Sequence, residues 1–156
     1  MMQLTYGDVL GSIDALSQLL ELKPAPVLGI AVKIARNARK LEAVAQDFAK
    51  ARDVVVASFR ADFTETWVDE DGEEQTGIPE KRQAAFEAAW MAEVNVLLPQ
   101  AVDVDVRVVP IEDLETCEEK KPGFEVPTLI LFKLWFMFGL EEPEPQSVES
   151  PIAEAA

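Results

Sequence analysis

The side chains of this chain that could do chemistry are few and poorly placed for it. Its 156 residues contain no histidine and one cysteine, Cys117. Without histidine the commonest general base is gone, along with the triads built on it and the commonest ligand of zinc or copper. One cysteine excludes an internal disulfide, and Cys117 stands between Glu115 and Glu118 without the basic neighbour that activates a nucleophilic thiol. It reads as an ordinary free thiol. Carboxylates remain. Asp103 and Asp105 share one face of an extended segment, but no acid, base or metal partner accompanies them, so they read as the solvent side of an edge strand, where charge discourages aggregation. Asp69, Asp71, Glu73 and Glu80 match positions one, three, five and twelve of a calcium loop, yet position six, which demands glycine, is Glu74. The stretch Val126-Pro127-Thr128 has the look of the proline strand of thioredoxins, but no Cys-x-x-Cys precedes it. The expectation is a protein with no catalytic residue, no cofactor and no metal, and not an enzyme.

The elements around these residues are more legible. An apolar residue returns every seventh position as Val27, Ile34, Leu41, Phe48 and Val55, with Ile30, Ala38, Val44, Ala45, Ala51 and Phe59 in the turns between. This is a seam of about ten helical turns, and it predicts one long helix from Pro26 to Phe63. Before it, Thr5 and Asp8 form a capping-box pattern, and Val9, Ile13, Leu16 and Leu20 recur at helical spacing, predicting a helix from Tyr6 to Leu22. Pro24 and Pro26 separate the two. After the long helix, Asp71-Gly72 between two short extended pieces is a hairpin turn signal. Pro79 opens a third helix to about Leu98, with Phe86, Trp90, Val94 and Leu97 on one face, placed to pack back along the first half of the seam as a helical hairpin.

Val102, Val104, Val106 and Val108 alternate with Asp103, Asp105 and Arg107, the pattern of a half-buried strand. Its partners are expected to be the 67–76 hairpin and Gln3-Leu4. Residues 110–114 read as a short turn or helix and 115–123 as a polar loop. The most apolar run, Val126 to Leu140, is short for a membrane span and carries Lys133 at its middle, which suits a buried helix or a patch covered by another subunit. The fold class expected is α+β, mainly α: a long helical hairpin with a short N-terminal helix and a small antiparallel sheet. Residues 1–140 are expected to form one domain, and 141–156, acidic and rich in proline, a disordered tail.

Charge divides the chain unevenly. Of the net −15, residues 1–22 carry −3, residues 23–60 carry +5 and residues 61–156 carry −17. An acidic whole argues against direct nucleic-acid binding, which depends on neutralising phosphates. No secretory signal opens the chain, so an intracellular setting is expected.

The succession of Leu4-Thr5, Asp14-Ala15-Leu16 with Leu19-Leu20, Ile34-Ala35-Arg36-Asn37, Lys40-Leu41-Glu42, Phe48, Ala51-Arg52 and the Asp71-Gly72 turn resembles a family of small uncharacterised proteins of tailed phages and prophages. The similarity covers roughly residues 3–115 and extends through Val102–Val108 and Ile111–Leu114. It implies a phage setting, in the cytoplasm of a bacterial host or in the virion, and a helical hairpin with a small sheet. It brings no catalytic residue. The functional expectation is an accessory or virion-associated protein that acts through contacts with itself, another phage protein or a host protein. The interface is expected at Leu129, Leu131, Phe132, Trp135, Phe136 and Phe138, with Arg36, Arg39 and Lys40 as a second surface. The alternative is an acidic inhibitor of a host nucleic-acid-binding or defence protein, mimicking phosphate through Glu65, Asp69, Glu70, Asp71, Glu73, Glu74 and Glu80. Neither expectation includes a membrane.

Overall fold

The computed structural model describes residues 1–144; the expected tail lies outside the described residues from 145 onward. The fold is α+β and mainly α. In chain order the elements are β1 (Met2–Thr5), α1 (Tyr6–Leu20), α2 (Leu28–Phe63), β2 (Glu65–Val68), β3 (Glu74–Gly77), α3 (Glu80–Leu97), β4 (Ala101–Val104), α4 (Ile111–Lys120) and α5 (Thr128–Lys133).

The helix starts follow from local chemistry. Asp8 N–H donates to Thr5 Oγ1 at 3.1 Å and Thr5 N–H donates to the Asp8 carboxylate at 2.9 Å, which closes the capping box on α1. Thr5→Ala removes the hydroxyl acceptor and is expected to cost about 1 kcal/mol, read as a lower urea midpoint with an unchanged slope.

α2 runs for 36 residues, about 54 Å at 1.5 Å per residue. Its first half is the spine of the molecule. Ile30, Ile34, Ala38 and Leu41 enter one continuous apolar core with Val9, Leu16 and Leu19 of α1, Leu4 of β1, Val104 of β4, Leu114 and Cys117 of α4, and Ile130, Leu134, Phe136, Met137 and Phe138. The second half of α2 leaves this core and pairs with α3. The buried apolar residues outside the central cluster are Phe48, Phe86 and Val94, all in this arm. Phe63 and Phe86 meet edge to face at 5.9 Å, Arg82 lies over the Phe63 ring at 4.8 Å, and Tyr6 of α1 closes the base of the arm on Phe48 at 5.3 Å.

Three expectations are corrected here. α3 covers the second half of the α2 seam, not the first, because it follows a tight hairpin at the far end of α2 and its 18 residues reach back only about 27 Å. The first half is covered by α1 and by the chain after β4. The sheet is two separate two-stranded ladders, β1 with β4 and β2 with β3, both antiparallel. β4 ends at Val104, so the valine alternation runs past the ladder. Finally, the stretch after Leu114 is helical: α4 continues to Lys120, burying Leu114 and Cys117 one turn apart.

Candidate functional site

Of the carboxylates considered for a catalytic or metal site, Asp69 and Asp105 are engaged in structure. Asp69 organises the β2–β3 turn: its Oδ1 accepts from Asp71 N–H at 3.0 Å and Glu73 N–H at 2.8 Å, and its Oδ2 accepts from the Gln75 amide at 2.9 Å. The Gln75 hydrogen bond, with those from the turn backbone, lowers the Asp69 pKa. Gly72 takes the left-handed conformation, φ 82°, that the turn requires. Glu65 pairs with Arg82 at 3.1 Å and Lys81 at 3.5 Å. The carboxylate row proposed for phosphate mimicry is thus broken at two of its seven members. Asp103 is exposed on β4, and Asp105 lies beyond the strand end, bound to Lys40. Among the described residues no group of three or more His, Cys, Asp or Glu side chains is placed to hold a metal.

Asp105 is exposed, and hydrogen bonding to Lys40 followed by the lysine's charge lowers the Asp105 pKa. A carboxyl held below its unfolded value stabilises the fold above that value and loses the contribution as pH falls through the folded pKa. Wild type and Asp105→Asn are therefore expected to differ in melting temperature near neutral pH and to converge in acid, below the ordinary carboxylate range. A gap that widens in acid contradicts the pairing.

The basic strip on α2 divides in two. Lys33 pairs with Asp113 of α4 at 3.0 Å, and Lys40 also donates to the Asp105 carbonyl at 2.6 Å. Between them, fully buried Asn37 donates its amide to the Arg107 carbonyl at 2.7 Å and accepts from the Arg107 N–H at 3.0 Å. These three side chains lash residues 105–113 to α2. Lys40 thus belongs to the fold rather than to a free surface. Arg36 and Arg39, on the outer side of the same helix, are exposed and make no ion pair among the described residues.

The apolar run expected as an interface is mostly core. Residues 128–133 form α5, and 134–139 continue it as turns ending at Gly139, φ 67°. Met137 accepts a hydrogen bond from Val109 N–H at 2.7 Å, which pins the run onto the lashed segment. Phe136 and Phe138 are buried, correcting their assignment to a surface, and Leu131 and Trp135 are half-buried against the core. Leu129 and Phe132 alone of the six are exposed.

Exposed apolar side chains also stand on the α2–α3 arm. On the arm, Val54 is 70% and Val96 65% exposed, with Met91 between α3's apolar neighbours also open. A shallow open trough runs along the same stretch of α2, lined by Asp53, Val56, Ala57, Arg60, Ala61 and Thr64. The signal was available. From Ala84 to Leu97 the polar residues of α3 are Glu87, Glu93 and Asn95, and its apolar side chains spread round the helix, more than pairing with one helix can cover. Comparison with protein-family models, curated proteins and solved structures returns no match to this chain. Among the described residues no helix is long and apolar enough to cross a membrane.

Proposed function

We propose that this chain is a non-enzymatic contact protein, an accessory or virion-associated component of a tailed phage or prophage, and that the α2–α3 arm is the part that docks. The observation that carries the contact reading is the exposure of Val54, Met91 and Val96 on a two-helix arm that lies outside the central core. Two helices alone bury one stripe each, and apolar area left in water favours a cover at about 25 cal/mol per Å². The phage setting rests on the sequence resemblance over residues 3–115.

Cys117 is buried, so a single thiol added at the surface reports by itself. Val54→Cys and Val96→Cys are compared with Leu28→Cys, a control at the start of α2 where the native side chain is 80% exposed. Alkylation rates are measured on the purified chain and in extracts of the cells that make it. Slowing at positions 54 and 96 relative to 28 supports docking at the arm. Equal rates at all three positions in both settings overturn it.

A further inference from the structure

We propose that the cover is a second copy of this chain: two copies lie antiparallel along their α2 helices, crossing near Val54, with the acidic β2–β3 turn of each on Arg36 and Arg39 of the other. This deepens the contact reading above and rests on it.

The outer face of α2 supplies the seam. Arg36 and Val54 are eighteen residues apart, about five full helical turns, so they stand in line on one face. Ala43 and Ala61, seven residues from Arg36 and from Val54, fall beside that line, and both are exposed. Asp47 and Lys50, exposed and paired at 3.4 Å, lie on the same line, so that in the antiparallel pair Ala61 of each copy stands opposite Asp47 of the other and Val54 supplies the central apolar contact.

Charge selects the direction. Each copy carries −15, which repels another copy unless unlike regions meet. A parallel pair would set the acidic turns side by side. The antiparallel pair sets the β2–β3 hairpin, whose residues 64–79 hold six acids and no lysine or arginine, against Arg36 and Arg39 of the other copy. In the turn Glu70, Asp71, Glu73 and Glu74 are exposed and make no ion pair among the described residues, and the same holds for Arg36 and Arg39.

Length agrees with charge. From Val54 back to Arg36 is about 27 Å of helix. From Val54 forward to Phe63 is about 14 Å, and β2 reaches up to about 13 Å further. The turn of one copy therefore reaches the two arginines of the other when the helices cross at Val54. A symmetric antiparallel crossing repeats this contact twice, as an isologous dimer does.

The test is sedimentation velocity on the full chain across the micromolar range, at low and high salt. The expected species has twice the 17.2 kDa chain mass and weakens with salt. Val54→Glu is expected to give a monomer with an unchanged far-UV circular dichroism spectrum, since that side chain is exposed in one copy, and to lose the concentration dependence of melting that a dimer confers. Arg36→Glu with Arg39→Glu is expected to weaken the dimer at least about tenfold, and adding Glu70→Lys and Asp71→Lys is expected to restore it. A wild-type chain that stays at 17.2 kDa throughout overturns this inference, as does a dimer indifferent to Val54 and to both charge reversals. The thiol measurement separates the two readings: protection at positions 54 and 96 in extracts but not in the purified chain removes the second copy and keeps the docking arm.

Discussion

Truncating Phe136 to alanine is expected to cost about 3–5 kcal/mol, whereas truncating Phe132, four residues earlier in the same apolar run, is expected to cost less than about 1 kcal/mol. Phe136 is 1% exposed and lies among the largest fully buried side chains of the core, beside Leu134 and Met137. Its ring stands edge to face with Trp135 at 5.7 Å. Removing it takes away the transfer free energy of the ring and leaves a cavity that the well-packed core closes only in part. A domain of this size holds about 5–15 kcal/mol in total, so Phe136→Ala approaches global unfolding. Phe132 is 52% exposed on α5 and loses little when cut back. Urea denaturation of both variants, followed by far-UV circular dichroism, checks the contrast. Equal losses at the two positions would mean that the run does not fold as α5 followed by turns. The same contrast bears on function: charged substitutions at half-buried Leu131 and Trp135 would confuse lost folding with lost contact, whereas Leu129 and Phe132 are free of that ambiguity.

Replacing Asn37 by leucine is expected to cost about 2–4 kcal/mol, although the new side chain has the same number of heavy atoms, branches at the same carbon and is apolar in an apolar core. The cost comes from the partner. Asn37 binds both backbone groups of Arg107, acting as a strand neighbour would, and leucine leaves an N–H and a C=O without their hydrogen bonds. A buried donor or acceptor left unmade loses about 1–3 kcal/mol, and partial access of water at Arg107 sets the estimate below the sum for two. Hydrogen exchange gives the more specific readout. The Arg107 amide is expected to be protected in the wild type and to exchange faster in Asn37→Leu, beyond what the global loss explains. Unchanged stability with unchanged exchange at Arg107 would contradict the lash. Losing it would also loosen Val109, whose N–H donates to Met137, and so connect α2 to the apolar run.

Local chemistry and periodicity were sufficient for a large part of this architecture. The sevenfold seam named α2, and Ile34, Leu41 and Phe48 from it are buried. Thr5 with Asp8 named the start of α1, Asp71-Gly72 the β2–β3 turn and Pro79 the start of α3. Each of these is decided within a few residues: a cap fills an orphan donor, a glycine accepts a positive φ, a stripe at 3.6-residue spacing faces one way. α4 was legible on the same terms, since Ile111, Leu114 and Cys117 stand three apart, but the acids between them read as loop.

The tertiary structure decided what periodicity cannot carry. A run apolar on every side, such as 126–140, holds no record of which side faces inward, so Phe136 and Phe132 look alike until α1 and the 105–109 segment take their places. α3 poses the same problem in reverse: its apolar residues exceed what α2 covers, and only packing shows which remain in water. The lash at Asn37 pairs residues seventy positions apart through a side chain that imitates backbone, a match of shape and hydrogen bonds that leaves no pattern in the sequence. That Lys33 and Lys40 are consumed while Arg36 and Arg39 make no ion pair among the described residues follows from where residues 105–113 cross α2. The sequence by itself determined the elements, their order and the charge of each region; long-range packing determined which apolar and charged groups those elements leave exposed, because burial belongs to pairs of elements and not to one.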